Sequence, residues 1–165
     1  MLRRQQSVIK SKGLRIVGID INESYLEDCR RKVETFGLTS QVQVFRSPVE
    51  TFEPPDNLRF DYALFSMSFT LLKDPMLVLE RLKDLLKPDG RIIFVHTMFE
   101  DRSRFMEMVK PRLRYFTTIE FGKVMYERDF YEMIRASQLC LETDEVLTGS
   151  LFGGKYRMFV ARWAY

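Results

Sequence analysis

Four short runs of this chain are almost wholly apolar, and stretches with helical spacing separate them. The runs are LRIVGI (Leu14 to Ile19), VQVF (Val42 to Phe45), YALF (Tyr62 to Phe65) and RIIFVH (Arg91 to His96). Continuous apolar runs, as opposed to strict alternation, mark strands covered on both faces, and such strands belong to parallel sheets. Asn22 or Ser24 can cap a helix after the first run, and Tyr25, Leu26, Cys29, Val33 and Phe36 form its apolar stripe. Gly37 supplies its stop. Between the third and fourth runs Asp74 caps, and Pro75 takes the first helical position, where its missing N–H costs nothing. Met76, Leu79, Leu82, Lys83 and Leu86 define the inward side of that helix, with the Lys83 charge reaching outward. Pro88-Asp89-Gly90 makes the turn into the fourth run. Strand–helix alternation of this kind predicts an α/β fold with right-handed crossovers and helices on both faces of the sheet.

The flanks are different in character. Residues 1–12 read as a basic N-terminal helix or arm ended by Gly13. Residues 102–135 turn helical, with an interruption at 117–122, and Leu141 to Leu147 and Tyr156 to Trp163 read as a closing antiparallel pair joined through Gly149, Gly153 and Gly154. A length of 165 residues suits one domain, and 45% hydrophobic with 30% charged residues excludes general disorder. No apolar run approaches the roughly 18 residues of a spanning helix, so no transmembrane segment is expected. The N-terminus lacks the apolar centre of a secretory signal, and Cys29 and Cys140 form neither a disulfide framework nor a CxxC metal pair. A reducing, cytoplasmic location is therefore expected. With His96 as the single histidine, a zinc site built from several histidines is excluded. Arg3, Arg4, Lys10, Lys12 and Arg15 put five cations and no acid in the first fifteen residues of a chain whose net charge is +3. That arm is either a solvated helix face or a surface for anionic lipid or RNA; RNA as a partner is not excluded by the sequence.

The segment FDYALFSMSFTLLKDPMLVLERLKDLLKPDGRIIFVH, with Asp61 before its strand, the loop from Ser66 to Leu72 and the Leu86-Lys87-Pro88-Asp89-Gly90 ending of its helix, resembles the fourth-strand to fifth-strand region of class I S-adenosylmethionine-dependent methyltransferases. VGIDIN fits upstream and the closing hairpin downstream, so the resemblance covers nearly the whole chain from Gly13. It implies a Rossmann-like sheet with the strand order 3-2-1-4-5-7-6 and helices on both faces. It also implies S-adenosylmethionine as cofactor, gripped by Asp20 at its ribose hydroxyls. A carboxylate just past the end of a parallel strand suits a diol on independent grounds, since it can accept two hydrogen bonds. Ile21 would line the adenine, with Ser47, Pro48 and Val49 near it, and Ser66 and Met67 would face the methionine moiety and the substrate. For Asp20 the other reading is a helix cap or a solvated turn; for Ile21 and Val49, packing; for Ser66 and Met67, a plain loop. Ser47 departs from the acidic residue that many relatives carry there and brings no charge. His96 is either a base toward the acceptor or a structural histidine, and Tyr115, Tyr126 and Tyr131 either shape an acceptor pocket or pack.

The larger departure is at the front. The family's first strand and its DxGxGxG loop have no counterpart: Gly13 ends a helix, Gly18 lies within a strand, and no GxG lies near. The chain thus reads as a single partial methyltransferase-like domain over residues 1–165, lacking the central strand of the family sheet. Its open sheet edges call for a partner chain or a second copy. Two functions follow: methyl transfer to a small-molecule or lipid-like acceptor when the domain is complete, or a non-catalytic methyltransferase-like structural or assembly subunit.

Overall fold

A computed structural model describes residues 2–100, 124–149 and 154–164. The chain divides into two compact units, Met1–Glu53 and Pro54–Tyr165.

The first unit is built from neighbours in sequence. Helix α1 (Leu2–Ser11) leads to strand β1 (Ile16–Asp20), helix α2 (Glu23–Thr35) and strand β2 (Val42–Arg46). Both helices stop the same way. Gly13 and Gly37 take left-handed φ values of 59° and 61°, and the next residue reaches back, Leu14 N–H to the Ile9 carbonyl (3.0 Å) and Leu38 N–H to the Val33 carbonyl (2.9 Å). The second stop drives Leu38 inward while Leu14 after the first stays exposed, and Ile9, Val33, Leu38 and Val42 form the unit's buried core, with Ile16, Cys29 and Phe36 packed on it. Gln41 ties the turn together, its Nε2 donating to the carbonyls of Ile9 (2.8 Å) and Leu14 (3.1 Å). β1 and β2 pair in parallel from Ile16↔Val42 to Asp20↔Arg46. The Leu14–Ile19 run therefore becomes a strand that starts two residues later and includes Asp20.

The second unit holds strands β3 (Phe60–Ser66), β4 (Leu86–Phe99), β5 (Met125–Tyr126), β6 (Leu139–Gly149) and β7 (Lys155–Trp163), with helices α3 (Pro75–Leu85) and α4 (Glu127–Ala136). The sheet order is β3-β4-β7-β6, with β5 joined to the end of β4. β3–β4 is parallel, while β4–β7 and β6–β7 are antiparallel. The expected closing hairpin is present, and the order corresponds to 4-5-7-6 of the sheet that the resemblance implied.

α3 begins as the sequence dictates, with the Asp74 carboxylate accepting from Leu77 N–H at 3.0 Å and Pro75 next. Its inward face differs from the expected one: Val78, Leu79, Leu82 and Leu85 are buried and Met76 is exposed. A short stripe leaves its phase open by one residue, and contact with β4 settles it. The Pro88–Gly90 turn lies inside the span of β4. Phe60 pairs with Leu86 and Tyr62 with Arg91, so the residues between bulge out of the ladder. Gly90 makes that bulge possible, because a Cβ there would meet Leu86 Cβ and the Lys87 carbonyl oxygen at 2.9 Å each. Along β4 the residues Ile92, Phe94, His96 and Met98 turn to the buried face. Phe69, Phe94, Phe130 and Phe159 meet there, with Phe130–Phe159 ring centroids 4.4 Å apart. Trp163 closes the face, its indole N–H donating to the Ser137 carbonyl at 3.1 Å.

Candidate functional site

In the first unit the C-terminal ends of β1 and β2 lie side by side. Ser47 N–H donates to the Asp20 carbonyl at 3.1 Å, which sets Asp20, Ile21, Ser47, Pro48 and Val49 around one strand edge. The Asp20 carboxylate is positioned by its own turn: Oδ1 accepts from Asn22 N–H at 2.8 Å. Asn22 in turn caps α2, its Oδ1 accepting from Ser24 N–H at 3.0 Å. Of the two sequence alternatives for the helix cap the structure uses Asn22, and Ser24 is the residue whose N–H it caps. Asp20 is itself no cap, and Oδ2 has no partner among the described residues. Ile21 is 66% exposed, and it offers an apolar surface next to a hydrogen-bond acceptor. The Ser47 hydroxyl donates to the Pro48 carbonyl at 2.9 Å and keeps its lone pairs. Pro48 precedes a single 3-10 turn, Val49–Thr51, in which Val49 is half-buried.

A diol-bearing nucleoside fits this arrangement: an aligned carboxylate oxygen for ribose hydroxyls, an exposed aliphatic for a base, and a hydroxyl for an exocyclic group. The fit stops at the phosphate-type cradle. No close run of glycines lies at the end of either strand, and Gly18 sits inside β1, where a Cβ would meet Val44 Cγ1 at 3.3 Å.

In the second unit Ser66 ends β3 and Met67 follows it. Met67 holds a left-handed φ of 60° and donates its N–H to the Val95 carbonyl at 2.8 Å. A methionine in that region costs about 1–2 kcal/mol relative to the right-handed form, so the loop is held in a conformation that its sequence does not favour. Ser66 is in register with Val95, which puts the Ser66 side chain on the sheet face opposite that of His96. His96 is 1% exposed and ringed by Phe69, Phe94, Phe130 and Phe159 at centroid distances of 5.4–6.3 Å. The structure thus gathers Ser66 and Met67 at one strand end and turns His96 away from them into the aromatic core.

Sequence reasoning passed over the polar cluster beside that core. Arg157, on β7 in register with His96 of β4, has a side chain only 12% exposed. It donates to the carboxylates of Glu127 and Asp144 and, at 3.0 Å, to the Tyr131 hydroxyl, which itself donates to Asp144. Burial acts to lower the guanidinium pKa, and the bonds to Asp144 and Glu127 outweigh it and hold the group above its ordinary value. Burial and the bond to Asp144 raise the Tyr131 phenol. Tyr131, one of the tyrosines considered for an acceptor pocket, is committed to this cluster, and Tyr126 is buried. Tyr115 lies outside the described residues. The signal available in the sequence was an arginine in the middle of an apolar strand, with Glu127 and Asp144 far from it along the chain. Among the described residues no group of three or more histidine, cysteine or acidic side chains can hold a metal ion, and no helix is long and apolar enough to cross a membrane.

The sequence profile of the family described as "Methyltransferase domain" matches residues 4–94. The chain is 26% identical over 123 residues to a demethylmenaquinone methyltransferase of Staphylococcus saprophyticus, a match covering 74% of this chain and 51% of that protein. The chain therefore spans about half the length of this curated relative. Among solved structures it superposes on a geranyl diphosphate C-methyltransferase from Streptomyces coelicolor with a TM-score of 0.75, at 13% identity over 96% of this chain and 67% of the other. The MccD protein gives a TM-score of 0.75 at 11% identity, covering 97% of this chain and 84% of that one. The [4+2]-cyclase SpnF gives 0.71 at 14% identity, over 91% and 66% respectively. These likenesses show the class I methyltransferase-like fold.

Proposed function

We infer, for a chain that belongs to the methyltransferase-domain family, that its chemistry is S-adenosylmethionine-dependent methyl transfer to a small-molecule or lipid-like acceptor, with its two units acting as parts of one domain. The observation that carries the reading is the Asp20 carboxylate at the end of β1, aligned by Asn22 and flanked by exposed Ile21. The family profile runs across the boundary between the units, which supports treating them as one domain. The relative named above acts on demethylmenaquinone, and that is the ground for preferring a lipid-like acceptor.

S-adenosylmethionine supplies an electrophilic methyl on a sulfonium sulfur, so no metal or covalent nucleophile is required of the protein. Asp20 would hold the ribose hydroxyls, Ile21 and Val49 the adenine face, and Ser47 and Pro48 the adenine edge. Ser66 and Met67 are assigned to the methionine and acceptor side. The protein's task is alignment and exclusion of water. His96 we assign to packing, because its side chain is enclosed by four aromatic rings. β1 has β2 as its one strand partner among the described residues, and β3 has β4. A partner chain or second copy at these edges completes the assembly, and a cytoplasmic location suits it.

Calorimetry with S-adenosylmethionine tests the reading. Asp20→Ala is expected to weaken binding by roughly 1.5–3 kcal/mol, the range for charge-assisted hydrogen bonds, and Asp20→Asn by less, because it keeps the bond to Asn22. Unchanged affinity in Asp20→Ala removes Asp20 from the site. A chain that binds no cofactor, alone or with its partner, favours the second reading, a non-catalytic methyltransferase-like assembly subunit. The uncharged Ser47 is the observation on that side.

A further inference from the structure

We propose that Glu23 is a positioning residue of the nucleoside site: it draws the Arg46 guanidinium to itself and so keeps the Asp20 carboxylate open to a ligand. The proposal rests on the functional reading above for its ligand, and its geometry lies within the first unit alone.

Arg46 is the natural competitor for that carboxylate. It ends β2 and is in register with Asp20 at the end of β1, so both side chains leave the sheet on the same face. Neighbouring strands lie about 4.8 Å apart, a gap that an arginine side chain spans with length to spare. A guanidinium beside an aspartate readily forms a bidentate pair, and such a pair would take the oxygens that ribose hydroxyls need. Asp20 nevertheless makes no ion pair among the described residues: Oδ1 accepts from Asn22 N–H at 2.8 Å, and Oδ2 has no partner.

The guanidinium turns to Glu23 instead. Glu23 is the first residue of α2, and its Oε2 lies 3.7 Å from Arg46 Nε. Its Oε1 accepts from Arg30 Nη1 at 2.6 Å, two turns further along the helix. The carboxylate is thus held by its own helix and offers its second oxygen to the end of β2. No residue of the first turn of α2, Glu23 to Tyr25, is buried, and Leu26 is the first that is, so polar contacts orient this turn. Asn22, which aligns Asp20, is the chain neighbour of Glu23; one short segment therefore both orients the aspartate and draws off its competitor. The Arg46–Glu23 contact is an ion pair longer than a hydrogen bond, between side chains 66% and 40% exposed. A pair of this kind adds little to stability. Its effect is to decide where the cation stands, and with Glu23 neutralised the nearest carboxylate in register with Arg46 is Asp20.

Titration calorimetry with S-adenosylmethionine on the purified chain tests the proposal through three variants. Glu23→Gln is expected to weaken binding about two- to fivefold, the range over which an exposed ion pair can compete. Arg46→Gln is expected to bind as the parent does, and Glu23→Gln combined with Arg46→Gln to regain the parent affinity. A capping or packing role for Glu23 predicts no such rescue. Rising salt should shrink the loss in Glu23→Gln, because it screens the Arg46–Asp20 pair. A crystal structure of ligand-free Glu23→Gln is expected to show Arg46 turned onto Asp20. Both positions lie at the surface, and thermal melts check that the variants keep the parent fold. Unchanged affinity in Glu23→Gln overturns the proposal, as does a loss that persists in the double variant. So does a loss in Arg46→Gln alone, which would make the guanidinium a ligand contact, or an Arg46 that stands clear of Asp20 in the variant's structure. Should the parent bind no S-adenosylmethionine, the functional reading falls, and the structure of ligand-free Glu23→Gln decides this proposal by itself.

Discussion

Replacing Arg157 with methionine should destabilise the second unit. The guanidinium joins three elements: β7, which carries it, α4 through Glu127 and Tyr131, and β6 through Asp144. Breaking a buried pair by removing one partner typically costs 3–5 kcal/mol, because a charge is left uncompensated. Here two carboxylates lose their cation, yet Glu127 and Asp144 retain side-chain exposures of 22% and 29%. Water can reach them, and the cost falls to about 2–3 kcal/mol. Methionine keeps the contact over Phe159, whose ring centroid lies 5.1 Å from the guanidinium carbon, so the loss isolates charge and hydrogen bonding from packing. For a chain of this size 1 kcal/mol moves the melting temperature by roughly 2–4 °C, which predicts a fall of about 4–12 °C in Arg157→Met. Arg157→Lys should fall between, since one ammonium cannot span both carboxylates in the guanidinium's geometry. Differential scanning calorimetry with the cycle Arg157→Met, Glu127→Gln and their combination is the assay. A melting temperature within a degree of the parent, or strict additivity in the cycle, would show that the cluster is not a coupled unit.

Three smaller changes test other parts of the account. α4 ends on Gln138 at a left-handed φ of 57°, the place that Gly13 and Gly37 take in the other unit, so Gln138→Gly is expected to raise stability by about 0.5–1 kcal/mol in thermal melts. Gly90→Ala forces a Cβ against backbone at 2.9 Å and should destabilise by roughly 1–3 kcal/mol, whereas Gly149→Ala meets nothing within 4 Å and should be near neutral in the same denaturant titration. Hydrogen bonds from Arg91, then the Arg91 charge and Arg162, hold the Glu142 carboxyl below its ordinary range. Its contribution is therefore complete above the unfolded value and lost as pH falls through the lower folded value, so the stability gap between parent and Glu142→Gln should close in acid and stay open at neutral pH.

Much of the architecture is local and was therefore legible. Gly13, Gly37, Asn22 and Asp74-Pro75 act within a few residues of themselves, and each works in the structure as its residue type dictates. The strands were legible as apolar runs, but their ends were not, because pairing carries β3 to Ser66 and β4 to Phe99 beyond the runs themselves. What the sequence hides is which face a residue takes. In RIIFVH both faces are apolar, so nothing in the run says that His96 follows Phe94 into the aromatic core while Val95 joins Ser66 on the other side. The Arg157 cluster was hidden for a different reason: its four members lie on three elements and meet only once β7 is in register with both β4 and β6. For the site, the position of Asp20 and Ser47 at adjoining strand ends was legible from strand–helix alternation. The left-handed turn at Met67 was not, since no turn residue marks it.

The place of β7 has a consequence for how the chain comes off the ribosome. Among the described strands it is the last in sequence and an interior one in the sheet, hydrogen-bonded to β4 on one side and β6 on the other. The first unit needs only partners close in sequence and can form early in synthesis. β4 cannot: until Lys155–Trp163 emerges, the backbone groups on its free side have no strand to complete them. The nascent second unit thus passes through a period with an unfinished edge, the stage at which chaperone binding and aggregation compete with folding.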